Sequence, residues 1–91
     1  MKNLTVIIPV YNEEFFLEES IKRLTDLKKD FKILIIDDCS DDNSPKIARN
    51  YEEKFEFITY IRKDKNEGKG SVLKEAIKHI NTDFTVIHDA D

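Results

Sequence analysis

The sequence is short of most features that would place it outside the ordinary globular class. It has one cysteine, Cys39, so no internal disulfide can form, and the chain reads as one made for a reducing compartment. It has no tryptophan and only two glycines and two prolines, far from collagen-like or low-complexity composition. Long apolar runs are missing as well. The longest near the amino end, Val6-Ile7-Ile8, reaches Val10 only through Pro9, too short for a signal peptide's hydrophobic region or a membrane span. A cytoplasmic location is the expectation. Nor is there a basic excess: fifteen Lys and Arg against nineteen Asp and Glu give a net charge of −4 and a pI near 5.2. That excludes the long-range positive field that gathers nucleic acid or anionic lipid, so any anionic ligand must be held locally.

What remains is 91 residues, 40% hydrophobic and 37% charged, enough for one small folded domain. Apolar residues fall into short solid runs alternating with helical stripes. Leu4 to Val10 is β-branched and too short for a stable helix, hence a strand. Leu17, Ile21, Leu24 and Leu27 share one helical stripe between Glu13 and Lys28, with Asn12 as the expected cap. Phe31 to Ile36 is a second strand. Ser44 as cap and Pro45 at the first helical position open a second helix, with Ile47, Ala48, Tyr51 and Phe55 on its apolar face. Phe57 to Ile61 reads as a third strand, Ser71 to Ile80 as a helix with Leu73, Ala76, Ile77 and Ile80 inward, and Asp83 to His88 as a fourth strand. The resulting order, β-α-β-α-β-α-β, predicts an α/β fold: a parallel sheet sandwiched by helices with right-handed crossovers.

In open sheets of this kind ligands bind beyond the carboxyl ends of the strands. Those ends carry Tyr11-Asn12-Glu13-Glu14, Asp37 to Asp42, Arg62 to Gly70, and His88 to Asp91. Both glycines, Gly68 and Gly70, bracket Lys69 just before the third helix, where backbone N–H groups and a cation could meet a phosphate. A plain tight turn fits the same residues, and the spacing matches neither the Walker loop nor the dinucleotide fingerprint. Asp89 and Asp91 stand two residues apart in extended chain, so their carboxylates point the same way and can share one hard cation, Mg²⁺ or Mn²⁺. Asp37 and Asp38 press two carboxylates against the end of the most apolar strand, which costs free energy unless hydrogen bonds or a cation answer it; a capping or turn role is the alternative. Cys39 has no neighbouring His to make it a nucleophile.

Taken in order, Val6 to Glu14, Ile35 to Ser40, Asn66 to Gly70 and Asp89-Ala90-Asp91 resemble the family 2 glycosyltransferases of the GT-A fold. The Gly-Lys-Gly segment followed by Asp-Ala-Asp looks most like the branch that charges dolichol or other polyprenyl phosphates with mannose or glucose. The resemblance implies a Rossmann-like half that binds a nucleotide-sugar, a UDP- or GDP-sugar, with Pro9, Tyr11, Glu13, Ile36 and Asp38 contacting base and ribose. It further implies that Asp89 and Asp91 hold the Mg²⁺ or Mn²⁺ on the diphosphate, that His88 and Ala90 flank the nucleotide, and that Lys69 lines the same cleft. Cys39 and Asn43 depart from the family pattern, each standing where a glycine is common; Asn tolerates positive φ, and Cys is small.

The same resemblance places the acceptor-binding half beyond Asp91. Residues 1–91 are therefore expected to grip the donor without turning it over, and the acceptor is expected to be a lipid phosphate at a membrane surface. The uncovered edge at Val86 and Ile87 would favour self-association. Two other classes stay open on the residues alone. One is a non-catalytic nucleotide-binding module. The other is a phosphoacceptor receiver, suggested by Lys32 to Asp38 and by Asp89 ending a later strand, although a receiver has no need of the Pro9 to Glu13 segment or the Gly-Lys-Gly loop.

Overall fold

The computed structural model describes residues 3–89, and the elements come in the predicted order: β1 (Leu4–Val10), α1 (Leu17–Asp26), β2 (Lys32–Asp37), α2 (Ser44–Lys54), β3 (Ile58–Arg62), α3 (Lys69–Ile77) and β4 (Phe84–Ile87). The four strands are all parallel and lie side by side as β3-β2-β1-β4. The chain steps outward from β1 to β3, then α3 carries it back across the sheet to the other side of β1. The reversal leaves a crevice between β1 and β4 at their carboxyl ends, the place where such sheets take ligands.

Alternation along β1 explains why both faces are covered. Val6, Ile8 and Val10 pack with Leu17, Ile21 and Leu24 of α1 and Ala48 and Tyr51 of α2. Ile7 points the other way, into a smaller cluster with Leu34, Ile36, Val72 and Ala76 under α3. In-register partners such as Ile8 and Ile35 are both fully buried, and truncating a core residue of this kind costs roughly 2–5 kcal/mol. The outer strand β4 is different: Phe84, Val86 and Ile87 are 65%, 50% and 48% exposed, which agrees with the uncovered edge expected at Val86 and Ile87.

Several local expectations change. Asn12 does not cap α1, which begins only at Leu17. Asn12 has φ 51, and its backbone turns away because its N–H goes to Ser40 and its side chain accepts from Asp41; residues 13–17 form a turn on the Glu13 carbonyl instead. Ser44 is the first residue of α2 rather than its cap. Its backbone N–H is met by the Asp42 carboxylate at 2.9 Å, while its hydroxyl accepts from Glu13 N–H at 2.9 Å. Asn43 needs no positive φ (φ −86), whereas Cys39 does adopt one, at 69. α3 runs from Lys69 to Ile77 rather than from Ser71 to Ile80; the face it turns to the sheet buries Val72 and Ala76, and Ile77 is 68% exposed rather than inward.

Candidate functional site

Three loops meet at the carboxyl edge of the sheet, and side chains from the β2 end tie them together. Asp37, wholly buried, accepts at one oxygen from the Ser40 N–H (2.8 Å) and hydroxyl (2.6 Å), and at the other from the Tyr60 hydroxyl (2.6 Å). Burial and the bond to Asp37 push the Tyr60 phenol well above its usual range, since both disfavour the phenolate. Ser40 relays the same network to β1 by accepting the Asn12 N–H at 2.8 Å. Asp42 does likewise, accepting from Glu14 N–H and Ser44 N–H. Burial works to raise the Asp42 carboxyl, but these hydrogen bonds outweigh it and hold the group below its usual value.

Asp38 performs the third connection. Its Oδ1 accepts from Glu67 N–H at 3.0 Å and its Oδ2 from Gly68 N–H at 2.8 Å. A carboxylate from the neighbouring strand thus supplies the cap that α3 does not get from its own N-cap residue, and Gly68, at φ 91, provides the backbone shape that turns both N–H groups toward it. This narrows one expectation: of the Gly68-to-Gly70 loop, the Gly68 N–H is taken by Asp38, together with that of Glu67, and does not face a phosphate. Lys63, at the end of β3, reaches Asp38, Glu67 and Ser71 together. The Glu67 bond raises the Lys63 ammonium, and the same contact lowers the Glu67 carboxyl.

In front of this frame lies a cavity of about 120 Å³ lined by Pro9, Val10, Tyr11, Glu13, Asp38, Lys69, Val72 and Asp89. Six of the predicted site residues, Pro9, Tyr11, Glu13, Asp38, Lys69 and Asp89, are therefore on one wall-to-wall surface at the β1/β4 crevice. Lys69 Nζ lies 2.9 Å from Asp89 Oδ1, with both side chains more than half exposed. Ile36 is not part of that surface. Its side chain is fully buried in the cluster beneath α3, so it packs the floor rather than facing a ligand. His88 is half-buried and its N–H extends the β1 ladder to the Ile7 carbonyl. Ala90 and Asp91 lie outside the described residues. Val10 and Val72 were missed; Val72 is four residues past Gly68, the helical spacing that could have shown it. Lys63 carried no sequence signal.

No group of three His, Cys, Asp or Glu among the described residues is gathered closely enough to hold a metal ion. Asp89 is the described half of the D-x-D pair, an oxygen donor suited to a hard cation, with a lysine beside it where an ammonium already answers the carboxylate. No described helix is long and apolar enough to cross a membrane.

The sequence pattern of glycosyl transferase family 2 matches residues 5–91. Solved structures agree with the architecture. The mannosyltransferase PcManGT from Pyrobaculum calidifontis, determined in complex with GDP-Man and Mn²⁺, superposes with a TM-score of 0.88 at 28% identity, over 98% of this chain and 27% of that one. TarS from S. aureus (residues 1–349), in complex with UDP-GlcNAc, gives 0.86 at 30% identity over 100% of this chain and 27% of that one. Glucosyl-3-phosphoglycerate synthase from Mycobacterium tuberculosis, at 21% identity and a TM-score of 0.81, shares the fold. The chain thus spans about a quarter to a third of the length of these proteins, in the α/β, Rossmann-like half of the GT-A fold.

Proposed function

The chain belongs to glycosyl transferase family 2, and from that premise we infer that its cleft binds the nucleotide of a sugar donor, a UDP- or GDP-sugar, together with a divalent ion. The observation that carries this reading is the convergence of Pro9, Tyr11, Glu13, Asp38, Lys69 and Asp89 on one cavity at the β1/β4 crevice. Tyr11, 43% exposed, offers a ring face to a base, and Asp38 offers an acceptor to a base N–H. An ionised carboxylate accepts about four hydrogen bonds; three donors already reach Asp38, which leaves one direction for a ligand. Asp89, with Asp91, would hold Mn²⁺ or Mg²⁺, which when bound would stabilise the departing diphosphate. Lys69 is long enough to leave Asp89 for a phosphate oxygen. His88 would flank the nucleotide at this end, as the family resemblance implies for it and for Ala90.

The acceptor we assign to this reading is a polyprenyl phosphate at a membrane surface, on the strength of the Asn66-to-Gly70 and Asp89-to-Asp91 motifs. Rate acceleration requires the acceptor oxygen to be held in line with the anomeric carbon, and we assign that task to none of the described residues. The 91-residue chain is accordingly expected to bind donor without transferring sugar; transfer of radiolabelled sugar to a polyprenyl phosphate by this chain would overturn that. Exposed Phe84, Val86 and Ile87 on β4 support self-association through that edge, which analytical ultracentrifugation would detect as a mass rising with concentration.

Calorimetry with UDP and GDP tests the donor reading. One of the two should bind in the presence of Mn²⁺ or Mg²⁺ and much more weakly in excess chelator. Equal affinity with and without the ion would remove Asp89 and Asp91 from the metal role. A receiver is not favoured: both oxygens of Asp37 are committed to Ser40 and Tyr60, so Asp37 and Asp38 do not act together as an acidic pair on a metal.

A further inference from the structure

We propose that Lys63, which lines no part of the donor cleft, is a positioning residue for donor binding: its ammonium fixes Asp38 and the Glu67–Gly68 turn in the geometry that presents the last free acceptor direction of Asp38 to the nucleotide base. The inference rests on the reading of Asp38 as a base contact and adds the group that sets it.

The geometry is specific. The Lys63 side chain is 8% exposed, an unusual state for a lysine, which is almost never fully buried unless paired. Its Nζ lies 3.4 Å from Asp38 Oδ1 and 2.8 Å from Glu67 Oε1 and donates to the Ser71 hydroxyl, which in turn donates to Glu67 at 3.3 Å. Three donors and three acceptors are matched: an ammonium has three N–H bonds and no acceptor, and the partners come from the residue just past β2, from the loop before α3 and from the first turn of α3. Lys63 is placed there by the sheet itself, because its backbone N–H continues the β2–β3 ladder to the Asp37 carbonyl at 2.8 Å. Without the ammonium, Asp38 would keep its two backbone donors, Glu67 N–H and Gly68 N–H, but the turn that carries them would lose its tie to the end of β3, and the half-exposed Glu67 carboxylate would repel Asp38 with no cation between them. The turn would shift, and the direction of the Asp38 side chain facing the cleft would loosen with it.

A merely structural lysine and a positioning lysine differ in which ligands they affect. Asp38 is read as meeting the base, while Asp89 and Lys69 meet the phosphates, so loss of Lys63 should weaken nucleotide binding and spare a ligand that has phosphates only. In calorimetric titrations of the chain with Mn²⁺, Lys63→Met is expected to weaken the tighter-binding of UDP and GDP by about fivefold or more and to leave inorganic pyrophosphate within about twofold, the scale of one charge-assisted hydrogen bond. Lys63→Arg, which restores the charge, should recover most of the nucleotide affinity. Should the methionine variant not fold, Lys63→Gln carries the same expectation. Equal weakening of nucleotide and pyrophosphate, or unchanged nucleotide affinity, overturns the proposal. Asp38→Asn separates the layers: if it weakens nucleotide binding while Lys63→Met does not, only the positioning role falls. If Asp38→Asn has no effect either, the base contact falls, and the positioning role with it.

Discussion

At the end of β2, Asp37 and Asp38 are 0% and 4% exposed, and each accepts three hydrogen bonds. At the end of β4, Asp89 is about half exposed, and its partner among the described residues is Lys69. The carboxylates look alike in sequence, each closing an apolar strand. The difference comes from strand position: β2 is an interior strand, and β3 beside it and the loop after β3 bring Tyr60, Lys63, Glu67 and Gly68 to its end, while among the described residues β4 pairs with β1 alone. One wall of the cleft is therefore finished in the free protein. The other can exchange its lysine for a ligand at small cost, since an exposed ion pair of this kind is worth at most about 1 kcal/mol.

The largest test of that contrast is Asp37→Ala. It leaves Tyr60 O–H and two Ser40 donors without an acceptor in the core, and should lower the unfolding free energy by about 3 kcal/mol or more, read from urea denaturation. Parent-like stability would mean that the β2 wall is not held as described. Next comes Asp38→Asn, which is expected to cost roughly 1–3 kcal/mol of nucleotide affinity and to speed amide hydrogen exchange at Gly68 while the sheet stays protected. Unchanged exchange at Gly68 would detach Asp38 from the start of α3.

Tyr60 sharpens the comparison through pH. Because its phenol is raised above its ordinary value of 10.0 by burial and by Asp37, the folded state holds its proton where the unfolded chain has lost it. Its contribution is thus full below pH 10 and declines as pH rises beyond that. Tyr60→Phe should remove that alkaline decline and cost about 1–2 kcal/mol near neutrality; an identical alkaline limb in both proteins would contradict the assignment. The smallest effect belongs to Asp89→Asn: stability within about 0.5 kcal/mol of the parent, with the divalent-ion dependence of nucleotide binding lost. A large fall in stability would make the β4 end structural, like that of β2.

The element order, the parallel sheet and most of the core could be read directly, because runs such as Ile33 to Ile36 and stripes such as Leu17, Ile21 and Leu24 are set by the two-residue and 3.6-residue periods of strand and helix. Helix starts were less legible. Asn12 and Ser44 are residue types that favour caps, yet both are engaged across loops about thirty residues distant in sequence, with Ser40, Asp41 and Glu13. A propensity describes local competition for a hydrogen bond and does not register a distant partner that wins it.

For the site, composition and spacing marked the strand ends as the chemical edge and brought out Gly68, Lys69, Asp38 and Asp89, since glycine pairs and carboxylate pairs stand out in a chain with so few glycines. Sequence order by itself determined that these residues would end strands of a parallel sheet, and so share one edge. Only the tertiary structure decided which carboxylate became fixed and which stayed open, that Ile36 faces the core beneath α3 and not the cleft, and that Lys63 stands behind Asp38. Those outcomes depend on which strands are neighbours and which face a helix covers. Strand neighbours and helix cover are fixed by contacts across the sheet, between residues that have no spacing to reveal them.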